Sequence, residues 1–232
     1  MDFITVTQSL LKGFGATCLV FILTLIFSLP LGLLISFCTM SKIKPLQKTF
    51  KVFVWITRGV PLMLQLFIVY YLPGMLSPKG TNPFGAIDRY LYFNLGIECG
   101  GALFATLIAF TINYAAYFSE IFRGGIEAIP KGQYEAGHVL GMTRGQVFRK
   151  VVLMQVVKLI IAPVSNEVIT LVKDTALARV IGVIEIIKVA DMLVSKAIIW
   201  PLFYASVFYL AFVGLLTLLF NYTEKKLAYY KV

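Results

Sequence analysis

Long runs without a charged residue dominate this chain. Residues 14–40 contain none, nor do residues 59–78, a run that reaches back to Val52 once Arg58 is admitted. Residues 99–119 form a third uncharged run, and residues 197–223 another at the far end. Between them, residues 151–172 are apolar except for Lys158, Glu167 and a few neutral polar groups. The hydrocarbon core of a bilayer demands roughly 20 consecutive apolar residues of helix. The pattern therefore predicts an all-α integral membrane protein with five transmembrane helices, at about 14–40, 52–78, 99–119, 151–172 and 197–223. The first run is too long for a signal-peptide core and no small-residue cleavage site follows it, so it is expected to stay as a helix.

The connections carry patterns of their own. Residues 120–153 are charged and punctuated by glycine. Pro130 suits a helix start, where its missing N–H costs nothing. A short helix is predicted over 133–140, stopping at Gly141, which can adopt the left-handed conformation that closes a helix. Thr143 with Gln146 three residues later forms a capping box that opens a second helix running into the next apolar span. Ala136, Gly137 and Gly141 keep one side of this hairpin short of side-chain bulk, so another surface can approach. Residues 76–96 are rich in Pro and Gly and predict a loop with a short helix near 87–92. Residues 180–190 are apolar but too short to span, which suits a re-entrant or interfacial piece. Pro61 restricts Val60 and removes a backbone donor, so a kink is expected in the second span.

Composition narrows the class. Of 232 residues 59% are hydrophobic and 14% charged, which excludes a soluble domain, and the chain reads as one domain over residues 1–232. Cys18, Cys38 and Cys99 are odd in number and scattered through apolar surroundings, so they imply packing and no disulfide framework. The net charge of +10 would suggest nucleic acid in a soluble protein; here its placement reports topology, and no nucleic-acid partner is expected. Lys42, Lys44, Lys48 and Lys51 crowd the first connection with no acid among them. Arg123, Lys131, Arg144, Arg149 and Lys150 belong to the hairpin, and Lys225, Lys226 and Lys231 to the tail. The connections on the other side hold Lys79 and Arg89, then Lys173, Arg179, Lys188 and Lys196 mixed with acids. The positive-inside rule then puts the N-terminus outside and the hairpin and C-terminus in the cytoplasm. Aromatic residues at span ends, among them Tyr70, Tyr71, Tyr90, Tyr92, Phe93, Trp200, Tyr222, Tyr229 and Tyr230, suit an interfacial belt.

The hairpin also carries a resemblance. Glu135-Ala136-Gly137, with Gly141 and the following Val152-Leu153, resembles the EAA loop of ABC importer permeases. The runs EIFRGGIEAIPKGQ and EAGHVLGMTRGQVFRKVV, with NEVITLVKDTALARVIGV at 166–183, resemble the polar amino acid uptake subfamily, and the likeness runs from about Ser9 to Glu224. Two departures stand out: Gly137 replaces an Ala of the motif, and Met154 stands where the family carries Pro. The resemblance implies a type I importer permease of the bacterial inner membrane. It further implies a coupling loop over about 123–150 that inserts into an ATP-binding subunit, with Glu135, Ala136, Gly137, Gly141 and Arg144 as coupling residues. Its partners would be two ATP-binding cassette subunits, a second permease subunit (identical or paralogous), an extracytoplasmic substrate-binding protein, and a polar amino acid as cargo. ATP and Mg2+ would sit on the partner, because no G-x-x-x-x-G-K-[ST] loop occurs in this chain and it needs no cofactor of its own. No catalytic residue is assigned. The lone histidine, His138, lacks neighbours at ligand spacing, so no metal site is expected.

Intramembrane polar groups are costly and mark sites. Arg58 and Gln65 are expected on one face of the second span, and Asn113, Tyr114 and Tyr117 on one face of the third. Asn166, Lys173 and Asp174 share a stripe of the fourth, since offsets of seven and eight return to the same side. Glu167 and Thr175 complete the candidate pathway. This set offers a zwitterion both a cation for its carboxylate and carboxylates for its ammonium. Lys173 with Asp174 can equally be a structural pair, and Glu120 with Arg123 reads as an edge ion pair. Two other readings stay open: an ion-coupled secondary carrier using Glu167 and Asp174, and a non-transporting scaffold. Cystine, glutamine, arginine and histidine all fit the charges as cargo.

Overall fold

The computed structural model describes residues 2–77, 84–95 and 102–228. Every regular element among them is helical. In order these are α1 (Phe3–Thr39), α2 (Lys44–Gly59), α3 (Leu62–Leu76), α4 (Phe84–Leu95), α5 (Leu103–Glu127), α6 (Lys131–Val139), α7 (Arg144–Val147), α8 (Leu153–Asp174), α9 (Ile186–Val194) and α10 (Trp200–Leu227). A π-helical turn, Phe148–Val152, joins α7 to α8, and a 3-10 turn, Thr175–Ile181, follows α8. Helices α1 and α10 are each long and apolar enough to cross a membrane, and the α2–α3 pair qualifies when taken together.

The expected boundaries shift in informative ways. Helix α1 starts at Phe3 rather than near 14, because Val6 and Leu10, four apart, bury one face against later helices, while Thr7 and Ser9 donate their hydroxyls to the carbonyls of Phe3 and Thr5. The expected single span over 52–78 is two helices meeting at 105°. Pro61 has no N–H to continue the ladder, Val60 is pushed into an extended conformation, and the break is far sharper than a kink. The side chain of Gln65 donates to the carbonyls of Thr57 at 2.7 Å and Val60 at 2.8 Å, so the groups freed by the break stay satisfied inside the chain. Helix α5 carries on to Glu127, eight residues past the uncharged run, through Glu120, Arg123 and Glu127. These three pair along one face at 2.6 Å on either side of Arg123.

The centre of the fold is α1 packed on α5. Small residues make that approach possible: a Cβ added to Gly32 would lie 2.9 Å from the Cβ of Phe118, and one at Gly13 would lie 2.9 Å from the backbone of Ile186 in α9. In apolar surroundings such seams bring helices together by close van der Waals packing. Val20, Phe21, Phe110, Tyr114, Phe118, Leu171 and Val172 build the main core from α1, α5 and α8. A second cluster joins Val6 and Leu10 of α1 to Ile186, Ala190 and Leu193 of α9 and Ala205 of α10. The piece expected over 180–190 is thus divided. The 3-10 turn ends at Gly182, which takes φ 98°, and α9 then packs into the bundle. Glu185 caps α9 from a fully buried position, accepting from the backbone N–H groups of Ile187 at 2.8 Å and Lys188 at 2.7 Å. Burial pushes its carboxyl up to about 7 against the pull of those two hydrogen bonds. The short helix expected near 87–92 appears as α4. Cys99, Lys79, Tyr229, Tyr230 and Lys231 lie outside the described residues, as do the side chains of Tyr92 and Phe93.

Candidate functional site

A cavity of about 490 Å3 opens where the α2–α3 break meets α5 and α8. That volume falls in the range of small-molecule sites, roughly 300–1,000 Å3. One wall is the break itself, from Arg58 through Gly59, Val60 and Pro61 to Leu62. Asn113, Tyr114 and Tyr117 of α5 form the second, and Glu167, Thr170 and Asp174 of α8 the third, with Leu177 closing one end. The spacing explains each wall. Offsets of one, three and four hold the α5 residues to one face, and offsets of three and seven do so for α8.

The polar groups are arranged by charge. The guanidinium of Arg58 lies 5.0 Å above the ring of Tyr117, a cation–π distance. Its nearest carboxylate is Glu120 at 3.8 Å, which is already held at 2.6 Å by Arg123. Arg58 is therefore only loosely paired. Across from it, Asp174 accepts a 2.7 Å hydrogen bond from the buried hydroxyl of Tyr114. The cavity thus has a cationic side at the break and an anionic side on α8.

Six of the candidates read from the sequence meet here: Arg58, Asn113, Tyr114, Tyr117, Glu167 and Asp174. Four do not. Gln65 belongs to the break, on a different helix from Arg58 rather than a shared face. Asn166 and Lys173 are exposed and outside the cavity, because the stripe they share with Asp174 is too wide for one wall to take in. Thr175 is buried and donates to the carbonyl of Val172 at 2.6 Å, which ties it into the turn after α8. Asp174 takes Tyr114 as its hydrogen-bond partner, and Lys173 makes no ion pair with it among the described residues. Thr170 and the open backbone of Gly59-Val60 were not anticipated. The offset of three from Glu167 was a usable signal for Thr170.

The hairpin is the second constellation. Helix α6 ends in a Schellman arrangement. Met142 N–H donates to Gly137 O at 3.1 Å and Gly141 N–H to His138 O at 3.0 Å, with Gly141 at φ 72°. Thr143 and Gln146 make both bonds of the capping box, at 2.8 and 3.4 Å. Ile129, Val147, Val152 and Val156 form the hairpin's own core. Gly137 is part of that interior: a Cβ there would come within 2.5 Å of Val147. Its lack of bulk serves the fold of the hairpin and not an approaching surface, contrary to the expectation. Glu135, Ala136, Gly141 and Arg144 are exposed. Beside them Val139 and Leu140 stand 87% and 78% exposed at the tip, an apolar pair the sequence reading passed over. Met154 lies in the first turn of α8, directly after the π-turn of Phe148–Val152.

Comparison with known proteins places this arrangement. The family model described as "Binding-protein-dependent transport system inner membrane component" matches residues 28–229. The L-cystine transport system permease protein TcyB of Bacillus subtilis is 38% identical over 170 residues, covering 73% of this chain; the match spans 64% of that relative's own length. The arginine transport system permease protein ArtQ of the same organism is 34% identical over 228 residues, covering 94% of this chain and 92% of its own. Among solved structures, an amino acid ABC transporter crystallised with histidines superposes with a TM-score of 0.80 at 27% identity, covering 97% of this chain and 99% of the other.

Proposed function

This chain belongs to the family of binding-protein-dependent transport system inner membrane components, and from that premise we propose that it carries a polar amino acid through the cytoplasmic membrane. It is the multi-pass permease subunit of an ATP-driven importer, working by alternating access. The observation that carries the cargo assignment is the split charge of the 490 Å3 cavity. Arg58 would receive the substrate carboxylate, and Glu167 and Asp174 its ammonium. Tyr114 and Asn113 supply neutral hydrogen-bonding groups between them. The named relatives act on cystine and arginine, cargoes that share this pair of charged groups. Family membership also removes the need for an ion-coupled carrier or a silent scaffold.

Five crossings follow: α1, the bent α2–α3 pair, α5, α8 and α10. The N-terminus lies outside, and the C-terminus and hairpin lie in the cytoplasm. There the hairpin would meet an ATP-binding subunit through Glu135, Ala136, Gly141 and Arg144, with Val139 and Leu140 as apolar anchors. ATP and Mg2+ belong to that subunit. Two permease subunits, two ATP-binding subunits and an extracytoplasmic binding protein complete the assembly. Motion reaches the cavity along one continuous helical path, from Arg144 through the π-turn to Asp174. That path is about 45 Å long at 1.5 Å per residue. A driven equilibrium needs a differential contact in each state. Here the α8 wall moves against the α2–α3 break.

The test is uptake of labelled cystine, arginine, glutamine and histidine by vesicles holding the purified assembly, with ATP inside. Uptake that requires ATP, and that Glu135→Ala together with Leu140→Asp abolishes along with stimulated ATPase activity, supports the reading. Uptake driven by an ion gradient without ATP sinks it.

A further inference from the structure

Helix α2 carries a surface the transport path does not use. Lys44, Lys48 and Lys51 fall at i, i+4 and i+7, and Trp55 at i+11 continues the stripe. With Gln47 and Val52 they line one open groove along the outer face of the helix. The other side of the helix is occupied: Phe50, Phe53 and Val54 pack with Leu31 and Ile35 of α1 and Ala115 and Ala116 of α5. The lysine stripe therefore faces away from the protein, and Trp55 at its end is 75% exposed.

By itself this arrangement is electrostatically unfavourable. The first turn of α2 holds no acid, so its lysines add to the partial positive charge of a helix N-terminus. Like charges at i, i+3 and i, i+4 repel as well. Among the described residues none of the three lysines has a carboxylate within ion-pair distance. Glu120 acts on Lys51 from beyond that distance, so the charge that compensates Lys44 and Lys48, and most of that for Lys51, comes from outside the chain.

Geometry says what kind. Helix α2 turns 105° from α3. Where α3 is the arm of the bent pair that crosses along the bilayer normal, a 105° bend leaves α2 close to the membrane plane. A helix in that position, basic along one stripe with apolar residues beside it, has the make-up of an interfacial helix. A Trp ring is at home at headgroup level. An acidic protein surface would answer the lysines but leave the exposed Trp55, Val52 and Ile56 without an apolar environment. A lipid supplies both. We propose that the Lys44–Lys48–Lys51–Trp55 face of α2 is a binding site for anionic phospholipid, taking the headgroup phosphate between the lysines and the acyl-chain neck against Trp55. The in-plane position of α2 and its place in the cytoplasmic leaflet both rest on the crossings proposed above.

The chain has two tryptophans, so Trp200→Phe leaves Trp55 as the sole indole. The full-length protein in phosphatidylcholine vesicles would receive a fixed mole fraction of brominated lipid, either phosphatidylglycerol or phosphatidylcholine. Juxtamembrane lysines favour anionic lipid by roughly fivefold each, so the brominated anionic lipid should quench Trp55 well beyond its neutral counterpart. K44Q/K48Q/K51Q should erase that excess, and K44R/K48R/K51R, which keeps the charge and controls for folding, should retain it. Equal quenching by the two lipids would overturn the proposal, as would an excess that survives the glutamine variant. Quenching by neither would mean that a protein surface covers the stripe, and would overturn it too. Transport does not enter this readout, so the importer reading stands or falls separately.

Discussion

Val147, inside the hairpin, leaves no room for a side chain at Gly137: a Cβ there would come within 2.5 Å of it. The β-branched Val147 has little rotamer freedom with which to yield. Gly137→Ala is therefore expected to destabilise the protein by about 1–3 kcal/mol through overpacking. Adding Val147→Ala should recover most of that loss, and thermal unfolding of the two singles and the double would show it. Additive losses would mean that the two residues do not press on each other. Glu185 makes a pH prediction. The folded chain holds its proton up to about 7, whereas an unfolded glutamate releases it near 4.3. The folded state thus binds more protons between those values, and this contribution to stability, complete at the acid end, is lost as pH rises through 7. Thermal stability in detergent should fall from pH 5 to pH 8, and Glu185→Gln should flatten the slope. No change of slope in that variant would point to another group.

The α2–α3 break forms one wall of the cavity, and the π-turn lies on the helical path from the hairpin to it. Deleting one residue within Phe148–Val152 should convert the turn to regular α-helix. The hairpin would then rotate by about 100° relative to α8. The expected result is a folded protein whose ATPase stimulation is detached from uptake; intact coupling would mean the path does not run through α8. At the other joint, Gln65→Ala leaves the carbonyls of Thr57 and Val60 without their side-chain donor. A loss of about 1–3 kcal/mol follows if both remain dry, measured as a fall in unfolding midpoint. The helical character of both regions was legible from apolar runs, Pro61 and the Thr143–Gln146 box. The size of the bend was not, because a proline specifies a missing hydrogen bond, while the angle depends on what packs against each side.

Across the whole molecule, opposite charges face each other over one cavity, and their roles are separable. Glu167→Gln and Asp174→Asn should each lower uptake of amino acids by acting on the ammonium. Asp174→Asn should also disturb Tyr114, whose hydroxyl it shares. Arg58→Gln should weaken recognition of the carboxylate common to every cargo. Vesicle uptake at several substrate concentrations would separate these effects: a raised KM with kcat retained marks a binding contact. If all three variants transport normally, the cavity is not the path.

Membrane residence, the helical class, the hairpin and the family were set by local signals: charge-free run length, turn chemistry and a short motif. Each of these acts between residues close in the chain, so spacing alone carries the information. Which polar residues share the cavity was decided by tertiary structure. Asn166 and Asp174 lie on one helical stripe, yet only Asp174 meets Tyr114, because the rotation of α8 against α5 is chosen by packing of Leu171 and Val172 into the common core. Arg58 joins them only because the chain turns at Val60, and nothing within five residues of it records where α5 will be.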